Sequence, residues 1–581
     1  MLKKLYNILP KNLKIDLYYL LIILFFLNFF QVVGISSILP LLSILLNDNL
    51  ILENEYVFNV YQYFNFKELL DFKIFIAIVC SILVSTSSFL ALFSNYKITK
   101  FEENFSLAFE KKFFNYYLYG PYNIISSKNI SYSLNLITNY LPKVRDNLLS
   151  RYVNIYNQTI LLIIILIPLL IFKTKIILIL ITTLFLYYFV FYKIFKNFFK
   201  KVGNFYNEIS FVKNKLIYES LNNIKYLFFF KNKRLIYDKF SDAAKKLASA
   251  QIRVTIVGGL PRVFLEVLLF FGIVGICTYL LISNTDIINI FITLSAFAIA
   301  TIRALPALNS LFSNFVGIKI GIPTFKLFDF ENSKIDSFIK SNKKNKLKNK
   351  NIIQFKNYIE LKNFSFKYPE SNFKLDNVNL KINKGDFIGI VGESGSGKTT
   401  LVDLICGLQK PSKGNFIVDH KKININRVEL FRHNIGYVPQ DIYLSDASIY
   451  ENITLDTLVT DKKDNKIDDI RQELILANLY DFVDSLPKKE ATNVGERSTK
   501  ISGGQKQRIG IARALYPKPK IIIFDESTNA LDIITEKNFM KTLKSISEKG
   551  YTIIMITHKV EVLKFCNRVI EIKNGILKKI K

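Results

Sequence analysis

A bundle of membrane-spanning helices followed by a soluble α/β domain is the fold class this sequence predicts. Three observations carry it. The first ~320 of 581 residues hold six apolar runs of membrane-spanning length. A Lys/Asn-rich stretch interrupts the apolar pattern near residues 332–351. Short apolar strands with glycine-rich turns and helical stretches then follow to the C-terminus. Half of the residues are hydrophobic and the mean hydropathy is positive. A chain of this length exceeds what one core usually serves, so two domains are expected.

The runs place helices near 17–38, 73–95, 153–172, 175–193, 263–283 and 287–306. Ile160 to Phe172, Lys-Thr-Lys at 173–175 and Ile176 to Val190 read as a tight hairpin. Each span must be helical, because lipid offers an open backbone no hydrogen-bond partner. A soluble core cannot take in six such runs within half a chain. Met1 to Asp16 is short and basic, and no small-residue cleavage motif follows the first apolar run, so the segment reads as a retained helix.

Charge sets the orientation. Net charge is +31. Lys3, Lys4, Lys11 and Lys14 precede the first span. Residues 96–152 and 194–262 carry long series of Lys and Arg, whereas residues 47–72 are acidic and 283–286 hold no base. Basic loops favour the cytoplasm, so both termini and the two long middle segments are expected there. Much of the basicity is thereby accounted for by topology, and nucleic-acid binding becomes unnecessary. Residues 96–152 and 194–262 are too long for turns. They read as helices continuing past the bilayer, the first reversing at Tyr119-Gly120-Pro121. Domain limits follow: 1–330 membrane domain, 331–352 solvated linker, 353–581 α/β domain. Cys80, Cys277, Cys406 and Cys566 are scattered and form neither a metal spacing nor a disulfide framework.

Chemistry concentrates in the last domain. Gly392-Glu393-Ser394-Gly395-Ser396-Gly397-Lys398-Thr399 fits G-x-x-x-x-G-K-[ST] after the apolar strand Phe387 to Val391, with Thr400 next in line. Its glycines let successive N–H groups turn toward phosphates, and a helix beginning there adds its positive end. Lys398 supplies charge to the β- and γ-phosphates, and the Thr399 hydroxyl can ligate Mg²⁺. Ile521-Ile-Ile-Phe-Asp525-Glu526 is a buried strand ending in two acids. Asp525 can hold Mg²⁺ through water, and Glu526 can polarise an attacking water as general base. Between these motifs lies Ile501-Ser502-Gly503-Gly504-Gln505, again a small-residue turn before a helix.

At these residues the chain resembles the ATP-binding cassette (ABC) ATPases, with Ile501 where Leu is usual. The resemblance implies further assignments. Tyr368 would stack on adenine, and Gln440 in Tyr437-Val-Pro-Gln would contact Mg²⁺. Glu496 in Val494-Gly-Glu-Arg resembles the loop specific to exporters. Asp532 in Asn529-Ala-Leu-Asp resembles the dimer-interface loop, with Asn where Ser is common. His558 would hold the γ-phosphate. Six spans followed by one such domain is the exporter-type half-transporter order. It implies ATP and Mg²⁺ as ligands, a bacterial inner-membrane location, and a second copy of the chain as partner. Ser502, Gly503, Gly504 and Gln505 of one copy would then face the phosphate loop of the other.

The membrane half is similar to bacterial lipid-linked oligosaccharide flippases. The similarity rests on Gly259-Leu-Pro-Arg262-Val-Phe-Leu-Glu266 and Arg303-Ala-Leu-Pro306-Ala-Leu-Asn309, and on a loop 47–72 able to form a short amphipathic external helix. It implies a polyprenyl-pyrophosphate glycan as substrate. Arg262 and Arg303 suit a pyrophosphate, which guanidinium grips bidentately. They equally suit snorkelling to the interface and local pairing, and export of another lipid, a peptide or a hydrophobic compound stays open.

Overall fold

The computed structural model describes the chain except residues 47–50, 52–53, 67, 127–129, 173, 230, 283–286, 346–352, 369–373, 424–427, 429, 456–469, 496–500, 527–532 and 581. The chain divides into two compact units. One comprises 1–120 with 128–345, the other 346–581 with the short segment 121–127.

The first unit is all helix. After α1 (Leu2–Ile8) come α2 (Lys11–Ser36), α3 (Ile38–Leu46), α4 (Glu55–Tyr63) and the 51-residue α5 (Leu69–Tyr119). Gly120 caps α5, and α6 (Tyr122–Ser126) follows in the short segment that belongs to the other unit. A helical run from 130, interrupted by π-turns at Leu136–Tyr140 and Arg145–Leu149, leads into α7 (Ser150–Phe172). Then come α8 (Thr174–Asn222), α9 (Ile224–Phe229), α10 (Lys233–Ile282) and α11 (Ile287–Asn345). Apart from Ser37 and residue 283, which lies outside the described residues, the six apolar runs lie in helices, and among the described residues five spans are long and apolar enough to cross a membrane. The first run is not one helix, because Ser37 separates α2 from α3.

One expectation is corrected. The stretch from 331 does not begin as linker: α11 runs unbroken to Asn345. Ile335 is buried, and Phe338 and Ile339 pack on a core of Phe105, Phe109, Phe113, Phe325 and Phe328. Apolar residues at helical spacing hold the chain in helix against the polar composition around them. Within the spans, Asn28 of α2 donates to the Asn157 side chain of α7 at 2.8 Å, both side chains being buried. This interhelical polar contact is of the kind that fixes helix pairs where water is absent.

The second unit has two sheets. An antiparallel sheet runs β2-β1-β4-β5, from β1 (Tyr358–Lys367), β2 (Lys374–Asn383), β4 (Lys413–Val418) and β5 (Lys421–Ile423). The six-stranded sheet is ordered β10-β9-β3-β8-β7-β6. In it β3 (Phe387–Val391), β6 (Ile435–Val438), β7 (Ile521–Asp525), β8 (Thr552–Ile556) and β9 (Arg568–Lys573) are parallel, and β10 (Ile576–Lys579) is antiparallel at the edge. Strands β7 and β8 are buried along their whole length, which is why they read as solid apolar runs. The parallel strands deliver their C-terminal ends to one edge, where an open α/β sheet binds ligands. Helices α12 (Lys398–Ile405), α13 (Ile449–Thr454), α14 (Arg471–Leu476), α15 (Tyr480–Asp484), α16 (Gly503–Leu515), α17 (Ile533–Glu548) and α18 (Val560–Leu563) complete the unit.

Candidate nucleotide site

The site forms where β3, β7 and β8 end. The chain leaves β3 through Gly392 at φ 152°, where an added Cβ would strike the Ile572 carbonyl, so only glycine fits. Gly395 and Gly397 also take left-handed backbone, and Gly397 caps α12. The Lys398 ammonium folds back over the loop and donates to the carbonyls of Gly392 and Glu393, each at 2.9 Å. Burial pushes its pKa down, opposed by the charges of Glu526 and Asp525. The loop thus holds a cation over a ring of backbone. The Ser396 hydroxyl is buried with no protein partner among the described residues, an orphan that an anionic oxygen would satisfy.

The acids come from the next strands. Asp525, the last residue of β7, accepts from the Tyr437 hydroxyl at 2.8 Å. Burial raises its pKa, and Tyr437 partly offsets this. Glu526 follows with left-handed backbone, φ 47°, its N–H donating to the Ile556 carbonyl of β8. Gln440 Nε2 donates to Glu526 Oε2 at 3.3 Å, and His558 Nε2 lies 3.2 Å from Glu526 Oε1. The carboxylate is therefore bracketed by the two residues expected to act with it. Tyr368 sits edge-on to Phe366, and its hydroxyl lies 3.3 Å from the Thr400 hydroxyl, so the expected adenine-side aromatic stands next to the phosphate loop. The donor set fits Mg²⁺: a carboxylate at a strand end, a threonine hydroxyl at a helix start and an amide oxygen are hard oxygen ligands.

Ser502 caps α16. Its hydroxyl accepts from the Gln505 N–H at 3.2 Å, and its own N–H donates to Gln505 Oε1 at 2.8 Å, a reciprocal capping box. An added Cβ on Gly503 would meet nothing within 4 Å, so this helix start is open. Glu496, Asn529 and Asp532 lie outside the described residues. Arg262 is exposed and pairs with Glu266 one turn along α10 at 2.8 Å, the local pairing the sequence left open. Arg303 lies in α11, with its side chain outside the described residues.

Three contributors escaped sequence reasoning. Tyr437 fixes Asp525. Asp403 of α12 is buried and pushed up to about 6, by burial first and then by the charge of Asp525. Arg513 of α16 donates to the carbonyls of Asn452 at 2.7 Å and Tyr443 at 2.9 Å. None lies in a motif whose spacing states its role.

Comparisons with known proteins give the family. The family model described as "ABC transporter transmembrane region" matches residues 21–305, and "ABC transporter" matches 375–529. Together they take in about three quarters of the chain. The chain belongs to the ABC transporter family. It is therefore built as an ABC exporter membrane domain followed by an ABC ATPase domain, whose ligands are ATP and Mg²⁺. It is 41% identical to the alpha-hemolysin translocation ATP-binding protein HlyB of Escherichia coli O157:H7 over 36% of this chain and 29% of that one. It is 29% identical to the heterocyst differentiation ATP-binding protein HepA of Nostoc, over 61% of this chain and 56% of that one. The matched stretches thus span about a third to a half of the length of these relatives. A bacterial Atm1-family ABC exporter solved with ATP bound shares the fold, with TM-score 0.74, 18% identity, and coverage of 97% of this chain and 95% of that chain.

Proposed function

We propose that this ABC transporter is a bacterial inner-membrane exporter that works as a homodimer and flips a lipid-linked glycan, a polyprenyl-pyrophosphate oligosaccharide. The observation that carries the ATPase part is the bracketed carboxylate: Glu526 beside Asp525, held by Gln440 and His558. ATP binds with its phosphates on 392–399 and its adenine on Tyr368. Gln440, Asp525 and Thr399 hold Mg²⁺, which when bound draws charge off the β- and γ-phosphates. Glu526 takes the proton of the attacking water, His558 steadies the γ-phosphate, and Ser502 with Gly504 of the second copy closes the site. Both termini lie in the cytoplasm.

The substrate reading rests on the 259–266 and 303–309 stretches and on α4, which forms within the loop expected to carry an external helix. A second reading is export of a polypeptide, favoured by the likeness of about a third of the chain to a hemolysin translocation ATP-binding protein. Two measurements test the proposal. Glu526→Gln is expected to bind ATP normally and to lose ATPase turnover by at least about a hundredfold; unchanged turnover overturns the catalytic assignment. In proteoliposomes, a polyprenyl-pyrophosphate glycan is expected to stimulate ATP hydrolysis and to change leaflet with ATP. No stimulation and no flipping would remove the glycan reading and leave the transporter.

A further inference from the structure

Thr557, His558 and Lys559 form the turn between β8 and α18. Its first residue is pinned to the strand that opens into the phosphate loop: the Thr557 N–H donates to the Ile390 carbonyl of β3 at 3.2 Å. The Lys559 N–H in turn donates to the Thr557 hydroxyl at 3.1 Å. His558 stands between them with its side chain 43% exposed, so packing alone does not fix the imidazole.

Lys559 has extended backbone, φ −92° and ψ 118°, and neighbouring side chains on an extended chain leave on opposite sides. The two residues accordingly reach two different acids. His558 Nε2 lies 3.2 Å from Glu526 Oε1. The Lys559 ammonium donates to Glu536 Oε1 at 2.8 Å. Glu536 sits in the first turn of α17 and is 8% exposed. That helix is seated in the core through Phe539, Met540, Leu543 and Ile546. An ion pair in open water holds little, but a buried carboxylate needs its cation. The pair therefore links α17 to the residue beside His558, while Thr557 links the same turn to β3.

We propose that Glu536 is a positioning residue for ATP hydrolysis: through Lys559 it sets the turn so that His558 meets the γ-phosphate beside Glu526. The inference rests on the role given to His558 above. Without the pair the turn is pinned at Thr557 only and pivots about it. ATP still binds, because the phosphate loop and Tyr368 are untouched, while the hydrolytic step slows.

The measurement is the rate of hydrolysis per bound nucleotide, in a single turnover of the full chain in proteoliposomes. Normalising to bound ATP removes any fraction of the chain that has not folded. Glu536→Gln and Lys559→Gln are each expected to slow this rate at least about tenfold, with ATP affinity changed less than about twofold. Lys559→Arg, which keeps a cation within reach of Glu536, is expected to keep at least about half the rate. If both Gln variants stay within about twofold of the parent while His558→Ala is slow, the inference fails and the role of His558 stands. His558→Ala at the parent rate would remove that role and the inference with it. Should Glu536→Gln fold poorly, Glu536→Lys combined with Lys559→Glu exchanges the two charges. It is expected to hydrolyse bound ATP faster than Lys559→Glu alone, and no gain overturns the pairing.

Discussion

Asp403 stands on the first helix after the phosphate loop, buried, with a carboxyl pushed up to about 6. The ordinary value for such a group is 3.8. The folded protein therefore keeps a proton that the unfolded chain releases, and the cost of that carboxylate appears as pH rises from about 4 to about 6 and is complete above it. Asp403→Asn removes the charge at similar volume. Without nucleotide, the ATPase domain of the variant is expected to melt above the parent at pH 7.5, with the gap closing toward pH 5. Thermal scans at the two pH values check this, and a gap independent of pH would contradict it. Tyr437 acts on the other member of the pair. Tyr437→Phe deletes the hydrogen bond to Asp525 Oδ2 and leaves a buried carboxylate short of a donor, a loss of about 1–3 kcal/mol in such settings. The expected outcome is weaker Mg²⁺ affinity, with the half-saturating Mg²⁺ concentration for ATP hydrolysis raised severalfold.

At the scale of elements, Arg513 ties three pieces together. It projects from α16, the helix that Ser502 starts, onto the carbonyl of Tyr443, three residues past Gln440, and onto the carbonyl of Asn452 in α13. Asn452 in turn donates to the Ser445 carbonyl at 3.1 Å and accepts from the Ser445 N–H at 2.9 Å. The segment after Gln440 and the helix carrying Ser502 are therefore joined by side-chain hydrogen bonds. Arg513→Ala removes a part-buried hydrogen bond to Asn452 and an exposed one to Tyr443, and a destabilisation of about 1–2 kcal/mol is expected, read as a fall in the melting temperature of the ATPase domain. Such links were not legible in the sequence, because no local spacing joins residue 513 to 443. Legible elements share a physical reason. Strands β3, β7 and β8 are central and buried, so they appear as unbroken apolar runs; the phosphate loop appears because glycine and lysine are forced at fixed offsets. The far end of α11 was hidden because Lys and Asn dominate 331–345 on average, while Ile335, Phe338 and Ile339, which hold it to the core, are few. The bracketing of Glu526 was half legible. His558 and Gln440 were expected near the phosphates, but only the fold shows that both reach the same carboxylate.

At the scale of the whole molecule, the question is whether one chain or two completes a site. If the phosphate loop of one copy works with the Ser502 helix of the other, complementation should follow. Lys398→Ala disables the loop of its own chain, and Ser502→Arg fills the open start of α16 in its own chain. Each variant alone carries two broken sites per dimer and should be inactive. In a mixed dimer, one site combines both faults, and the other combines the intact loop of the Ser502→Arg chain with the intact helix of the Lys398→Ala chain. Co-expressed and isolated through different tags, mixed dimers are expected to regain ATP hydrolysis that neither parent shows. If each chain instead built its own site, both sites of the mixed dimer would still carry one fault, and no activity would return. Recovery in the mixture thus separates a shared site from a private one, and it does so without reference to the transported substrate.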